Sequence, residues 1–217
     1  MFDREAESVK FVSEYLLRSE MERKSTAERQ QEIKQAILDI IAEEGLQALS
    51  TRNLARKVGV SEGALFRHFK SKRDMMLAIM EDVQTDLMEP LRKIALQNLP
   101  ASERLFKFLC THVRYLIRNR GITILLFSEA AHLNDPELKN RLHDILLHQK
   151  QYIGKIIQDG IVAGEWDPEL QVENVTMLYM GIPITLSIEM VLNPNWLKTE
   201  NFCRKMIALI SRALEKK

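Results

Sequence analysis

The side chains that invite a chemical reading fall into two groups. In the first, Glu129-Ala-Ala-His132 places a carboxylate and an imidazole three residues apart on one helical face, the spacing of a ligand pair in diiron carboxylate bundles. Such a centre takes two of these motifs plus two more glutamates from other helices, and the chain offers one motif, so no metal is expected. Ser128 lies four residues before His132, but no acid is placed to orient the imidazole, as an activated nucleophile requires. Cys110 and His112, two apart, point to different faces of a helix. There is no glycine-rich phosphate loop, no cysteine metal pattern and no nucleophile elbow. Neither an enzyme nor a cofactor is expected, and a helical enzyme or metal protein stands as the remote alternative.

The second group suits phosphate recognition. Between Leu49 and Arg73 stand Arg52, Arg56, Lys57, Arg67, Lys70, Lys72 and Arg73 against the single anion Glu62, in a chain whose formal charge is only +1. A local basic patch on a neutral protein is the electrostatic footprint of a surface that meets a nucleic-acid backbone. A solvated helical hairpin is the bland alternative, and the elements carrying these charges argue against it. Ser50 is an N-cap for a helix over about 51–58, whose Leu54, Ala55 and Val58 share a face. Gly59 allows the left-handed turn, Val60 plugs the corner, and Ser61 caps a second helix that buries Leu65 and Phe69. That helix leaves Glu62, Gly63, Phe66 and Arg67 outward. Ser71, with Asp74 three residues on, starts the next helix. Two short helices around a glycine turn with an exposed second face make a helix-turn-helix, which lays its second helix in a DNA major groove.

Residues 26 to about 80 resemble the N-terminal domain of the tetracycline-repressor (TetR) family of bacterial transcription regulators. The resemblance rests on Glu44-Gly45, Thr51, Leu54-Ala55, Val58-Gly59-Val60-Ser61, Gly63, Leu65, His68-Phe69, Ser71-Lys72 and Leu77, about a quarter of the chain. It implies that Thr51, Arg52, His68 and Lys72 meet the phosphate backbone and that Glu62, Gly63, Ala64 and Arg67 lie nearest the base edges. Ser50, Ser61 and Phe66 complete the candidate DNA-binding set. Members often carry Tyr where this chain has Phe66, so a hydroxyl contact to phosphate is missing. Many carry an acid where this chain has Arg73, which makes the rim of the site more basic.

A chain of 217 residues suffices for one large or two modest domains. No signal peptide opens it, and no stretch is read as approaching the roughly 20 apolar residues that cross a bilayer. A cytoplasmic protein with no membrane role is therefore expected. Cys110 and Cys203 fit buried free thiols, with one disulfide left open. Residues 1–24, of mixed charge, read as an extension: an added helix or a loosely held leader. Residues 25–72 form the DNA-binding domain, opened by a capping box of Ser25 and Glu28, and residues 73–217 a helical ligand-binding and dimerisation domain. A helix from about Lys72 to Leu91 would link the two.

The expected fold is all-α. Asn98-Leu-Pro100 marks a break, Asp135-Pro136 is a strong helix start, and Val172–Leu192 is apolar on nearly every face, with Pro183 expected to kink it. A helix apolar all round is buried all round, so the last two helices are expected to pair with a second copy, and the twofold would read an inverted repeat in double-stranded DNA. The apolar interior is expected to hold a small apolar or amphipathic effector. Its candidate lining is Phe106, Leu109, Cys110, Val113, Phe127, Tyr152, Ile156, Met177, Met180 and Thr185, with His112, Arg114 and His148 as possible anchors for a polar head. The expectation is a repressor released by that effector. The alternative is a protein of the same fold with an architectural or cell-cycle role and no inducer.

Overall fold

The computed structural model of the chain describes residues 24–132, 135–193 and 201–215, with the side chains of 129–132 left out. The N-terminal extension, apart from Lys24, and the side chains of Glu129 and His132 lie outside the described residues. Everything described is helix, turn or loop, which is the all-α fold.

The N-terminal helices are set by local chemistry. Helix α1, Thr26–Glu44, opens with a complete capping box: the Ser25 hydroxyl accepts from the Glu28 N–H at 3.2 Å, and Ser25 N–H donates to the Glu28 carboxylate at 2.7 Å. Its stripe of Ile33, Ala36, Ile37, Ile40 and Ile41 is buried. Helices α2, Thr51–Val58, and α3, Glu62–His68, are capped by Ser50 and Ser61. Between them Gly59 adopts φ 74°, which lets Val60 N–H return to the Ala55 carbonyl at 2.9 Å. Ala55 is buried at this corner, and Leu65 and Phe69 close the small core against α1. The Gln30 amide also donates to the His68 carbonyl at 2.8 Å, fastening the end of α3 to α1.

The expected single linking helix is longer and differently wound. Helix α4, Lys72–Val83, runs into a π turn, Gln84–Met88, and continues as α5, Glu89–Ala95. Pro90, at the start of α5, has no N–H to return to the turn before it, and the wider winding sits at that point. Thr85 within the π turn donates its hydroxyl back to the Glu81 and Asp82 carbonyls.

The body consists of α6, Ala101–Arg118; α7, Ile122–His132; α8, Pro136–Val162; α9, Val172–Leu192; and α10, Phe202–Leu214. Asp135 caps α8 and Pro136 is its first residue. The start of α6 is capped from far along the chain. Pro100 offers no cap, and the Glu165 carboxylate accepts the N–H groups of Ala101 at 2.7 Å and Ser102 at 3.0 Å. Gly160 on α8 lets Trp166 lie flat against it, since a Cβ there would fall 2.3 Å from the indole.

Helix α9 does have the length and mean hydropathy, 1.7, of a membrane span, contrary to the expectation that no such stretch exists. Its packing accounts for much of that composition. Val175, Tyr179, Met180, Pro183, Leu186 and Met190 are buried against α6, α7 and α8. Met177, Leu178, Ile184, Ile188 and Leu192 are exposed on the other side. Pro183 leaves α9 unbroken as a helix, and Ser187 donates to the Pro183 carbonyl at 2.8 Å.

The N-terminal helices touch the body at a second place besides α4. Gly121, at φ 78° between α6 and α7, lies so close to Ile41 of α1 that a Cβ would stand 2.9 Å from the Ile41 methyl.

Candidate nucleic-acid interface and effector cavity

The capping chemistry that builds the helix-turn-helix also aims its outer surface. Ser50, Arg52, Ser61, Glu62, Gly63, Phe66, Arg67 and Lys72 are exposed, and Thr51, Ala64 and His68 are half-buried. Ser50 and Ser61 spend their lone pairs on the N–H groups of Asn53 and Ala64, which leaves each hydroxyl proton able to donate. Glu62 is not free to face a base edge alone. Its carboxylate accepts from the Thr51 hydroxyl at 2.8 Å and stands 3.8 Å from the Arg52 guanidinium, so the first turns of α2 and α3 are cross-braced. His68 has a buried Nδ1 with no hydrogen-bond partner.

The charge pattern is redistributed by long-range pairs. Lys57 is bound to Glu43 at 2.6 Å, and Arg73 pairs with Asp135 at 2.5 Å and with Glu137. Those carboxylates hold the Arg73 guanidinium well above its ordinary range, while Arg73 holds Asp135 below its own. The expectation of a more basic rim at Arg73 is therefore corrected, because that charge is engaged by the start of α8. Arg67 and Lys70 remain exposed beside α3.

Behind the interface, α4, the π turn, α6, α7, α8 and α9 enclose a cavity of about 50 Å³. Val83 and Leu87 contribute from the link, and Leu116, Ile122, Leu126, Leu142, Ile145 and Pro183 add apolar wall. His112 and Gln149 bring polar atoms to it and are themselves buried, 4% and 6% exposed. Burial lowers the His112 imidazole to about 4, so it is neutral at physiological pH. Its Nδ1 has no partner.

Of the ten residues expected to line an effector site, Phe127 and Met180 do so here. Phe106, Cys110 and Val113 line a separate open groove with Arg114, Ile117, Cys203 and Arg204. Leu109 and Ile156 are wholly buried core, and Tyr152 stacks on His148. Met177 and Thr185, expected inward, are exposed on the outer side of α9. Of the three proposed anchors only His112 reaches the cavity. Gln149 went unrecognised although its signal was available: it interrupts the stripe Leu142, Ile145, Ile153 and Ile156 with a polar side chain. Cys110 and Cys203 are free thiols. Burial, with Cys203 as neighbour, pushes the Cys110 thiol up to about 12. Among the described residues no three His, Cys, Asp or Glu side chains gather as a metal would need.

A helix-turn-helix head on a helical body is the architecture of a DNA-binding regulator. The chain belongs to the tetR family of bacterial regulatory proteins, whose sequence profile matches residues 33–79. The nucleoid occlusion factor SlmA of Haemophilus ducreyi is 31% identical over 151 residues, 64% of this chain and 75% of that protein. SlmA of Actinobacillus pleuropneumoniae serotype 5b is 32% identical over 123 residues, 56% of this chain. The chain spans 61% of the length of that relative. Among solved structures, the TetR family regulator PfmR from Thermus thermophilus superposes with a TM-score of 0.72 at 23% identity, covering 85% of this chain and 99% of that one. FadR from Bacillus subtilis, solved in complex with stearoyl-CoA, gives 0.64 at 21%, covering 85% and 99%. At such identities these structures establish the shared fold.

Proposed function

We propose that the protein is a homodimeric transcriptional repressor of the bacterial cytoplasm, released from an inverted-repeat operator by a small apolar or amphipathic molecule. The observation that carries this reading is the wall of the cavity: Val83 and Leu87 belong to the same helical link whose first turn, at Lys72, borders the DNA-facing surface. A molecule entering there presses on the element that positions the head. It needs only a higher affinity for the arrangement in which the two heads no longer match their half-sites. Exposed Met177, Leu178, Ile188 and Leu192 on α9, with Leu209 on α10, give a second copy an apolar surface to cover. The resulting twofold sets two α3 helices against half-sites about 34–36 Å apart, or a multiple of that. Within this reading, Thr51, Arg52, His68 and Lys72 hold phosphates, and Gly63, Ala64 and Arg67 approach the bases, with Glu62 after release from its brace.

The test is selection of bound sequences from a random duplex pool at stated salt, followed by addition of candidate effectors. An enriched inverted repeat supports the repressor. Tight, salt-sensitive binding without enrichment favours the second reading, an architectural or cell-cycle role, which is supported by the relatives that are nucleoid occlusion factors. Absence of any DNA binding overturns both.

A further inference from the structure

The lining of the cavity specifies the kind of molecule it takes, and this inference rests on the reading of that cavity as the effector site. The sixteen described wall residues include no lysine, no arginine and no carboxylate. The one titratable group able to carry a positive charge, His112, is kept neutral by complete burial. Beyond the wall, two negative charges, Asp82 and Asp86, act on the Tyr115 hydroxyl. Asp82 is held by Lys34 at 2.6 Å, so that cation is already committed. A carboxylate or phosphate lowered into this space would be stripped of water with no cation to meet it, which is among the costliest arrangements a protein interior offers.

Hydrogen bonding, by contrast, is on offer. His112 Nδ1 is buried without a partner, and the Gln149 amide makes no hydrogen bond among the described residues. A neutral imidazole and a carboxamide together supply both donors and acceptors. The Ser187 proton goes to the Pro183 carbonyl, so the Thr123 hydroxyl, 3.0 Å from Ser187, donates to it, and neither offers a donor to a ligand. The wall that reaches solvent is apolar, since Phe127 is 41% and Ile184 37% exposed. A volume of about 50 Å³ admits little more than the compact head itself, with the tail leaving past Phe127 and Ile184.

We infer that the effector is an uncharged amphipathic molecule whose single hydrogen-bonding head, a carbonyl or hydroxyl, is received by His112 and Gln149, and that free acids and phosphorylated or CoA-linked forms are excluded from this seat. His112 Nδ1 otherwise bears an uncompensated desolvation penalty, which the head relieves.

The experiment compares 2-hexanone, 1-hexanol and hexanoate at pH 7.5 on the full-length protein, by calorimetric titration and thermal shift without DNA. The neutral pair is expected to bind and raise Tm, with hexanoate at least tenfold weaker. Gln149→Leu should raise Kd for 2-hexanone about tenfold while leaving the affinity for n-hexane within a factor of about three, and His112→Phe should do the same. Hexanoate binding as tightly as the ketone, binding of none of the three, or loss of hexane and ketone affinity in parallel would overturn the inference. A separate operator-release assay keeps the two readings distinguishable: neutral ligands that bind but release no DNA support this inference and sink the repressor.

Discussion

Arg73, one residue into the link from the DNA-facing surface, meets Asp135, the N-cap of α8, at 2.5 Å across 62 positions of sequence. The pair joins the first turn of α4 to the first turn of the longest body helix. Asp135 has two duties there, because one carboxylate oxygen accepts from the Glu137 and Leu138 N–H groups while the other faces the guanidinium.

Asp135→Asn separates those duties, keeping the cap and removing the charge. The denaturation midpoint is expected to stay close to that of the wild type, as for other solvent-exposed pairs. Adding Glu137→Gln removes the second partner, and the freed Arg73 should then strengthen binding to non-specific duplex and steepen its dependence on log salt by up to about one unit. A salt titration of wild type and variant on the same duplex checks this, and an unchanged slope would place Arg73 out of reach of the phosphates.

Arg67→Ala and Lys72→Ala are expected to fail differently. The first should relax discrimination between specific and altered operators, a base contact being worth about 1–3 kcal/mol. The second should weaken all duplexes alike and flatten the salt dependence by roughly one unit. Competition binding with matched and mismatched operators tells the two apart.

His112 predicts a pH dependence of stability. Its folded value of about 4 lies below the ordinary 6.5, so between these limits the unfolded chain binds more protons than the folded one. Its contribution is complete above pH 6.5 and is lost as pH falls toward 4. Chemical denaturation of wild type and His112→Gln over that window should show an extra wild-type slope approaching about 1.4 kcal/mol per pH unit. Parallel curves would mean that water reaches the imidazole.

Gly160→Ala inserts a methyl where Trp166 Cε3 would stand 2.3 Å away and the Ala101 methyl 2.9 Å away. The expected loss is about 1–3 kcal/mol by overpacking, visible as a lower denaturation midpoint with an unchanged m-value. A neutral result would show that the Trp166 loop yields freely, and with it the Glu165 cap on α6.

What could be read from the sequence was what local chemistry decides. Ser25, Ser50, Ser61, Ser71 and Asp135 announce helix starts because a cap is satisfied within three residues. The helix-turn-helix followed from Ser50, Gly59 and the buried Leu54, Leu65 and Phe69 for the same reason. The cavity was less legible. On α9, where nearly every residue is apolar, periodicity cannot tell the inward Met180 from the outward Met177, since only the neighbouring helices decide which side is covered. The engagement of Arg73 by Asp135 and Glu137 was likewise invisible, because it depends on how two distant helix starts meet. The π turn before Pro90 escaped notice because proline near a helix start ordinarily disturbs nothing.

The close approach of Gly121 to Ile41, the Lys34–Asp82 pair at 2.6 Å and the Arg73–Asp135 pair at 2.5 Å tie the N-terminal head, the link and the body together at three separate places. The head therefore shifts only by loosening one of these ties. Two of them border the cavity, through Ile122 next to Gly121 and through Val83 next to Asp82. An occupant that spreads those two walls would strain these ties before any other, and in a symmetric dimer the twofold would repeat the strain in both copies.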